Sequence, residues 1–258
     1  MRPRRLRHRR RADIRMSGVL PCLILAGGLG TRLRPVLGDE VPKALAPIGG
    51  EPFLCWMLKG LQEQRVTDVV LSLGFGSDRI REVLRTRSFG MTISIVDEDV
   101  PLGTGGGIVN AARAHGATDM IVMNGDTLSN LDLQRMCAFY RDTRADLVLA
   151  ATHMSDASRY GTLDFDPVSR RLSGFREKRP GYGYINAGAY VVNVRRLLGF
   201  DLPRTFSFEQ DFLGERVAEL DIRVFPAVTE FIDIGVPADY ARAQTVVPRL
   251  VEAGIDET

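Results

Sequence analysis

The sequence predicts an α/β domain: a mostly parallel sheet with helices on both faces and antiparallel pieces inserted in its second half. Apolar runs of strand length alternate with stretches of helical apolar spacing through the first half of the chain. These strands are continuously apolar, which is typical of parallel sheets that are covered on both faces. After about residue 155 the alternation gives way to shorter, hairpin-like segments.

The elements of the first half are predicted from this alternation. Val19–Ala26 is an apolar strand that stops at glycine, and Pro52–Gln64 carries apolar residues at helical spacing. The elements that follow are strand Asp68–Leu73, helix Ser77–Thr86, strand Met91–Val96, helix Thr104–Ala114, strand Asp119–Met123, helix Leu131–Asp142 and strand Ala145–Thr152.

The second half begins with a predicted hairpin. Tyr160–Asp166 and Arg171–Phe175 flank the turn sequence Asp166-Pro167-Val168-Ser169. The later elements are strand Ile185–Val194, helix Glu209–Leu220, strand Arg223–Ala227 and helix Pro237–Ala253. Since no linker or repeat interrupts the body, residues 18–258 are predicted to form one catalytic domain, preceded by a basic segment at 1–17.

Charge is unevenly distributed along the chain. The whole sequence carries a formal net charge of +2, but residues 1–15 contain eight arginines and a single acid, Asp13. Their net +7 leaves −5 for the remainder, and an acidic body argues against nucleic acid as the main partner. The basic segment is interpreted as a disordered tail or as sequence upstream of a true start at Met16. A basic arm and a targeting peptide are the alternative interpretations of this segment.

The residue types argue against several other classes of protein. No apolar run reaches the roughly 20 residues of a membrane-spanning helix. Cys22, Cys55 and Cys137 lack C-x-x-C spacing and are interpreted as small buried residues in a reducing cytoplasm. The histidines are scattered singly, which supports neither a zinc site nor a Ser/His triad.

A glycine-rich turn follows the first strand, in the segment Leu25-Ala26-Gly27-Gly28-Leu29-Gly30-Thr31-Arg32-Leu33-Arg34-Pro35. Such a turn lets backbone N–H groups converge on phosphate oxygens without interference from Cβ atoms. The guanidinium of Arg32 adds a group that grips phosphate through two hydrogen bonds. A tight turn after a buried strand explains the glycines equally well. The dinucleotide-binding pattern would need glycine at Leu33, and no P-loop occurs.

Pro42-Lys43-Ala44-Leu45-Ala46-Pro47-Ile48 follows, and together the two segments resemble the G-x-G-T-R-L…P-K…P-I pattern of sugar-1-phosphate nucleotidyltransferases, the NDP-sugar pyrophosphorylases. Ala44 departs from it, since many members carry proline there, but that position supplies backbone shape. The resemblance implies a Rossmann-like, mostly parallel mixed sheet of the nucleotide-diphospho-sugar transferase type. It also implies that Arg32 and Lys43 contact the triphosphate. The residues that it places around the nucleotide are Leu25, Ala26, Gly27, Gly28, Gly30 and Thr31.

A second glycine run, Pro101-Leu102-Gly103-Thr104-Gly105-Gly106-Gly107, resembles the family's L-G-T-[AG]-G segment beside the nucleobase. Glycines ahead of a helix suit a close approach to a planar ligand, and they suit a plain helix N-terminus equally well. The resemblance implies that Gly103 and Thr104 contact the nucleotide.

Two carboxylates at strand ends are the candidate metal ligands. Asp126, in Asn124-Gly125-Asp126-Thr127, ends a buried strand, where an unpaired charge is costly unless it holds a cation. Asp233 lies in Phe231-Ile232-Asp233-Ile234-Gly235-Val236-Pro237, which resembles the family's D-[IV]-G-[TI]-P. For either acid taken alone, the alternative to a metal-ligand role is that the carboxylate caps a helix or bonds to the backbone of a turn. The resemblance implies that both hold Mg²⁺ and that Gly125 lies against the nucleotide.

Three further segments resemble the family's sugar-phosphate site. Phe175-Arg176-Glu177-Lys178 implies that Lys178 binds the phosphate and Glu177 the sugar hydroxyls. Tyr184-Ile185-Asn186-Ala187-Gly188-Ala189-Tyr190 implies that Asn186 contacts the sugar, with Gly188 beside it. Tyr160-Gly161-Thr162 implies a close approach of Gly161 to the ligand. The matches keep the family's order and cover about residues 19–245.

The predicted reaction transfers a nucleoside monophosphate from an NTP to a sugar 1-phosphate and releases pyrophosphate. The phosphate monoester, with a second pKa of about 6, attacks the α-phosphorus without a general base. Arg32, Lys43 and Lys178, with Mg²⁺ on Asp126 and Asp233, neutralise the charges and fix the line of attack.

Segments 159–162, 206–213 and 231–240 most resemble the guanylyltransferases of D-glycero-α-D-manno-heptose 1-phosphate, which implies GTP as donor and GDP-heptose, for surface glycans, as product. Mannose-1-phosphate guanylyltransfer and N-acetylmuramate-1-phosphate uridylyltransfer are the alternatives. A non-catalytic NDP-sugar-binding regulator is a remote one, because both acids, Arg32 and Lys43 are present. NAD-dependent hydride transfer does not explain Lys43 and Lys178. The predicted partners are small molecules, and self-association into a homo-oligomer stays open.

Overall fold

The computed structural model describes residues 19–176 and 181–252, so the basic segment predicted at 1–17 lies outside the described residues. A nine-stranded mixed sheet forms the centre of the molecule. The strands of the described residues are β1 (Cys22–Leu25), β2 (Pro47–Ile48), β3 (Glu51–Pro52), β4 (Asp68–Leu73), β5 (Thr92–Asp97), β6 (Asp119–Asn124), β7 (Thr127–Ser129), β8 (Leu147–Met154), β9 (Thr162–Phe165), β10 (Leu172–Arg176), β11 (Gly183–Asn193), β12 (Ile222–Val228) and β13 (Phe231–Asp233). The pairs β2–β3 and β7–β13 form two small separate sheets, and the other strands form the central one.

The helices cover both faces of this sheet. They are α1 (Arg34–Leu37), α2 (Phe53–Glu63), α3 (Ser77–Arg85), α4 (Gly103–His115), α5 (Leu133–Thr143), α6 (Val194–Leu198), α7 (Gly214–Arg216) and α8 (Pro237–Glu252), together with a 3₁₀ turn at Lys43–Leu45 and a π-helical segment at Phe208–Leu213. Within the described ranges, no helix is both long and apolar enough to cross a membrane.

Strands β5, β4, β1 and β6 lie side by side in that order and are all parallel. Strand β11 pairs antiparallel with β6, and the β9–β10 hairpin extends the sheet beyond it. Strand β8 pairs with both β11 and β12. The carboxyl ends of the four parallel strands therefore meet at one edge, which is where open α/β sheets bind ligands.

Two apolar layers, one on each face, bury the central strands. Along β1, Cys22 and Ile24 belong to one layer and Leu23 to the other, and all three side chains are fully buried. Strand β4 repeats this alternation, with Leu71 in the first layer and Val70 in the second. Because successive side chains of a strand point to opposite faces, a continuously apolar run is what a sheet covered on both sides requires. The predicted sheet is confirmed.

Most predicted elements are confirmed with small shifts at their ends. Strand Asp68–Leu73 has the predicted bounds, and the predicted hairpin is the antiparallel pair β9–β10. In its turn, the carboxylate of Asp166 accepts hydrogen bonds from the backbone N–H groups of Val168 (3.1 Å) and Ser169 (2.6 Å). Asp and Ser favour turns for this reason, since their side chains bond to nearby backbone groups.

The predicted helix Glu209–Leu220 is helical only as far as Arg216 and is not a regular α-helix, since residues 217–220 form a turn. This stretch is the π-helical segment Phe208–Leu213 followed by the single turn α7. Gly214 stands at the junction, and glycine is a poor residue for a helix interior. The buried rings of Phe208 and Phe212, four residues apart on this segment, are stacked with their centroids 5.5 Å apart.

Candidate active site

The ammonium of Lys43 lies between two carboxylates. Its Nζ donates to Asp126 Oδ2 at 2.6 Å and lies 3.9 Å from Asp233 Oδ1. The side chains of Lys43 and Asp233 are only 12% and 18% exposed, whereas Asp126 is 35% exposed. The structure thus brings together three of the predicted catalytic residues, which are far apart in sequence.

A two-stranded sheet aligns the two acids. Strand β13 pairs antiparallel with β7, and the register places Asp233 opposite Thr127, the residue after Asp126. The N–H of Ile234 also donates to the carbonyl of Asp126 at 3.0 Å. The pairing of two three-residue strands, which the sequence analysis missed, is therefore what assembles the site.

Asp233 sits in an environment that disfavours its charge. Burial raises the pKa of its carboxyl group, and the negative charge of Asp126 raises it further. Lys43, the N–H of Gly235 (2.6 Å from Asp233 Oδ1) and Arg32 act in the opposite direction without restoring the ordinary value. Arg32 is exposed in the turn after β1, and its charge acts on Asp233.

The two carboxylates fit a divalent cation. One ammonium faces two acids, which leaves an excess negative charge that a cation would balance. Carboxylate oxygens are ligands that Mg²⁺ accepts, and it usually completes its shell with water and substrate phosphates. Within residues 19–176 and 181–252, no group of three or more acidic, histidine or cysteine side chains is arranged to hold a metal ion. A site on Asp126 and Asp233 would therefore depend on substrate oxygens.

The first glycine-rich turn borders this site. Leu25 ends β1, and the N–H of the buried Ala26 donates to the carbonyl of Ser72 at 2.9 Å. Gly30, at φ +59°, lies so close to Lys43 that an added Cβ would stand 3.1 Å from the lysine Cβ. The remaining members of the predicted nucleotide set here are the exposed Gly28 and Thr31, and Gly125, whose N–H donates to the carbonyl of Leu25 at 2.9 Å.

Glu98, which the sequence analysis missed, lies against the same turn. A Cβ added to Gly27 would stand 2.7 Å from its Oε1. The carboxylate accepts hydrogen bonds from Ser72 Oγ (2.8 Å) and from the N–H of Leu102 (3.3 Å). Glu98 directly follows β5, so the rule that ligands gather at carboxyl ends of parallel strands was the signal that could have found it.

The second glycine run packs against the protein itself. Cβ atoms added at Gly103 and Gly105 would collide with the backbone and the ring of Phe206, and one at Gly106 would collide with the carbonyl of Arg204. The hydroxyl of Thr104 accepts from the N–H of Phe208 at 2.8 Å and donates to a carboxylate. Internal packing therefore accounts for much of this run. The assignment of Gly103 and Thr104 to the nucleotide stays a prediction.

The sugar-side candidates lie on β11 and at the start of β9. Asn186 and Gly188 occupy an irregularity where the β11–β8 register shifts, and Gly188 has φ +69°. A Cβ at Gly188 would come within 2.9 Å of Asn124 Nδ2 and Thr127 Oγ1, which places this bulge beside the Asp126 segment. Gly161 immediately precedes β9. Glu177 and Lys178 lie outside the described residues.

This arrangement suits reactions of polyphosphates. A cationic group and two carboxylates stand at the carboxyl edge of a parallel sheet, beside a glycine turn that carries an exposed arginine. The ammonium and guanidinium groups neutralise phosphate charge, and the carboxylates are ligands for a hard cation.

This chain is similar to known proteins over most of its length. The family model described as "Nucleotidyl transferase" matches residues 22–248. Two relatives are D-glycero-α-D-manno-heptose 1-phosphate guanylyltransferases. That of Aneurinibacillus thermoaerophilus is 39% identical over 230 residues, which cover 87% of this chain and 97% of that protein. That of Campylobacter jejuni is 34% identical over 221 residues, which cover 86% and 97%.

A solved structure is similar over the same extent. HddC from Yersinia pseudotuberculosis superposes with a TM-score of 0.78 at 36% identity, and the match covers 87% of this chain and 98% of that one. The same protein has been crystallised in complex with GMP-PN.

Proposed function

The chain belongs to the nucleotidyl transferase family, and we propose that it transfers GMP from GTP to D-glycero-α-D-manno-heptose 1-phosphate, releasing pyrophosphate. The observation that carries the reaction type is the placement of Lys43 between Asp126 and Asp233 beside the glycine turn. The relatives' printed activities support the choice of sugar and of base.

The polar groups near the turn support guanine as the base. Guanine presents adjacent N–H donors on one edge, and a carboxylate is an acceptor for both. Uracil has a single N–H, which lies between two carbonyl oxygens. A carboxylate repels those oxygens. Glu98 offers a half-buried carboxylate next to Gly27, in the region predicted to hold the nucleotide.

The chain's own residues perform binding and alignment. Arg32 and Lys43 bind the triphosphate and offset its charge, so that a second anion can approach. Asp126 and Asp233 would hold Mg²⁺, which supplies countercharge to the phosphates when bound. Asn186 and Gly161 orient the sugar, and Glu177 and Lys178 complete that subsite. The attacking phosphate oxygen needs no base, because a monoester with a second pKa of about 6 is largely dianionic at neutral pH.

We also place the protein in the cytoplasm. Its cysteines Cys22, Cys55 and Cys137 are free and buried, as predicted, and burial raises the pKa of each thiol. Thiols kept unpaired are usual in a reducing compartment.

A substrate matrix tests the proposal. The purified chain with Mg²⁺ is offered each of the four NTPs against heptose, mannose and N-acetylmuramate 1-phosphates, and pyrophosphate release is measured. We expect the highest kcat/KM for GTP with heptose 1-phosphate. Asp126→Asn serves as the matched control, because it must abolish the signal if the activity belongs to this chain.

Two outcomes would contradict the proposal in different ways. Faster turnover of mannose 1-phosphate, or of a UTP pair, would overturn the substrate assignment but keep the reaction type. No pyrophosphate from any pair, together with tight binding of GDP-sugars, would favour the non-catalytic regulator.

A further inference from the structure

Arg159, two residues before Gly161, forms an ion pair with a buried acid. Its Nη1 lies 2.7 Å from Oδ2 of Asp239, in the first turn of α8. The side chain of Asp239 is only 10% exposed, whereas that of Arg159 is 49% exposed. Arg242 lies farther from the acid, with 3.6 Å between its Nη1 and Asp239 Oδ1. Asp239 therefore holds one end of the Arg159 guanidinium, while about half of the arginine side chain stays accessible.

The burial of Asp239 needs an explanation beyond the stability of α8. Removing a carboxylate from water costs free energy that a single ion pair often does not recover. Negative charge near a helix N-terminus is favourable, but an exposed acid in the same turn would provide this as well. What the buried acid adds is a fixed position for a guanidinium that would otherwise move freely at the surface.

Tyr160, the residue after Arg159, brings this guanidinium to the candidate metal site. Its ring packs edge to face against Phe231, with the ring centroids 6.2 Å apart. Phe231 and Asp233 are two positions apart on β13, so their side chains project from the same face of the strand. The guanidinium of Arg159 lies 5.5 Å from the centre of the Tyr160 ring. It is therefore held on the side of β13 that presents Asp233.

The charge balance of this site favours a further cation. A nucleoside triphosphate and a sugar 1-phosphate are both polyanions, and Asp126 and Asp233 add negative charge of their own. Fixed positive groups are what allow two anions to approach each other. The contact with Asp239 raises the pKa of the Arg159 guanidinium, and the charge of Asp233 contributes in the same direction. A guanidinium suits phosphate in particular, because it can bind two phosphate oxygens at once.

We propose that Arg159 is a further phosphate-binding residue, which contacts the phosphate of the sugar 1-phosphate, and that Asp239 is a positioning residue that holds its guanidinium. The inference rests on the proposed function. The sugar 1-phosphate is chosen over the nucleotide because Arg159 lies with Gly161 between β8 and β9, whereas the nucleotide is assigned to the turn after β1. Asp239 itself does not touch the substrate.

Arg159→Gln tests the phosphate contact, because it removes the charge and keeps a polar side chain. We expect KM for the sugar 1-phosphate to rise by at least about tenfold, as for the loss of a hydrogen bond to a charged group. KM for GTP should change by less than about twofold. Arg159→Lys keeps the charge without the planar fork and should lose less.

A displaced loop could also raise KM for the sugar 1-phosphate, so inhibitors that carry only one part of this substrate separate the two explanations. Against Arg159→Gln, the Ki of inorganic phosphate should rise by about the same factor as KM, while the Ki of free heptose should stay unchanged. Asp239→Asn keeps Arg159 but removes the charge that holds it, and it should raise the same two constants by a smaller factor.

Arg216→Gln is the matched control. Arg216 also forms an ion pair of 2.7 Å, with Glu219, and its side chain is 36% exposed. Both KM values and both Ki values should therefore stay at those of the wild type. Thermal melts of all the variants report on folding.

The outcomes are distinguishable. Parallel rises in KM for the sugar 1-phosphate and in Ki for phosphate support the inference. An unchanged KM, equal rises in both KM values, or a raised Ki for free heptose overturns it. Two Arg159 variants too unstable to assay would also overturn it, since the ion pair would then serve the fold. A wild-type chain that releases no pyrophosphate with any sugar 1-phosphate overturns the proposed function itself.

Discussion

At the scale of single residues, Asp233 shows how function is set against stability. Its carboxyl group is buried and faces Asp126, and both effects raise its pKa. The folded state therefore favours the protonated form. The protonated carboxyl group therefore contributes to the free energy of unfolding. This contribution is complete below the ordinary carboxyl pKa and is lost as pH rises through the raised pKa. At neutral pH, the buried negative charge of Asp233 lowers the free energy of unfolding of the metal-free protein.

Asp233→Asn should therefore stabilise the metal-free protein while it disables transfer. We expect a higher melting temperature than wild type at pH 7, and a difference that narrows as the pH falls to about 4. The transfer rate should drop by about 10²–10³-fold. Asp142→Asn, at an exposed position, is the control. A variant that melts below wild type at pH 7 would show that Asp233 stabilises the fold.

Glu98 is the residue on which the choice of base is expected to depend. Glu98→Gln exchanges one acceptor for a donor, so a purine with two neighbouring donors loses a partner. We expect kcat/KM with GTP to fall by about tenfold and the rate with UTP to stay low or rise, which reduces discrimination. Competition assays measure that ratio, with the exposed Glu63→Gln as control. An unchanged ratio would remove Glu98 from base recognition.

At the scale of elements, the first turn of α4 and the segment before the π-helical turn form one packed unit. Gly105→Ala would push a methyl group into the ring of Phe206. The expected cost is about 1–3 kcal/mol of unfolding free energy, as for other overpacked sites. In a Phe206→Ala background this cost should largely disappear, which a double-mutant cycle measures by denaturation.

Gly174→Ala is the control for that cycle, because open space surrounds its added Cβ. Additive effects of Gly105→Ala and Phe206→Ala would contradict the packing explanation and return the glycine run to ligand binding alone.

The position of β13, and with it Asp233, is secured from the end of β7. Asn130 Oδ1 accepts from the N–H groups of Thr229 (3.1 Å) and Glu230 (3.0 Å), and its Nδ2 donates to Thr229 Oγ1 at 2.7 Å. Asn130→Ala should reduce kcat/KM by at least about tenfold, since misplacing a catalytic group by about 1 Å can cost 10²-fold. Asn130→Asp keeps the acceptor and should lose less. Wild-type activity in both variants would show that the β7–β13 pairing alone positions Asp233.

At the scale of the whole molecule, the excess positive charge and the family's domain lie in different parts of the sequence. Residues 1–15 carry the net +7, while the family match spans residues 22–248 of an otherwise acidic chain. A variant that begins at Met16 should keep its kcat/KM and melting temperature. It should lose low-salt binding to polyanions such as heparin, which follows the number of basic groups. Loss of activity on truncation would give the basic segment a role in the fold or the site.

The sequence by itself determined the sheet and the chemistry of its edge. Continuous apolar runs predicted a sheet covered on both faces, because every side chain of a doubly covered strand is buried. Asp126 and the glycine turn follow such strands directly, so their place at the carboxyl edge was predictable from local order. Local order also predicted a helix at Glu209–Leu220, but it indicated neither the π-helical form of its first part nor its end at Arg216.

Only the tertiary structure decided which polar groups meet. Glu209 bonds to Thr104, 105 positions earlier in the chain, and Asp233 reaches Asp126 through the register of two three-residue strands. Pairings of this kind carry no local periodicity. They depend on how the second half of the chain packs against the first. That packing is driven by the free energy of burying both apolar layers. Residue types therefore predicted a nucleotidyltransferase, while the contacts of Glu209 with Thr104 and of Asp233 with the Asp126 segment emerged only from the folded arrangement.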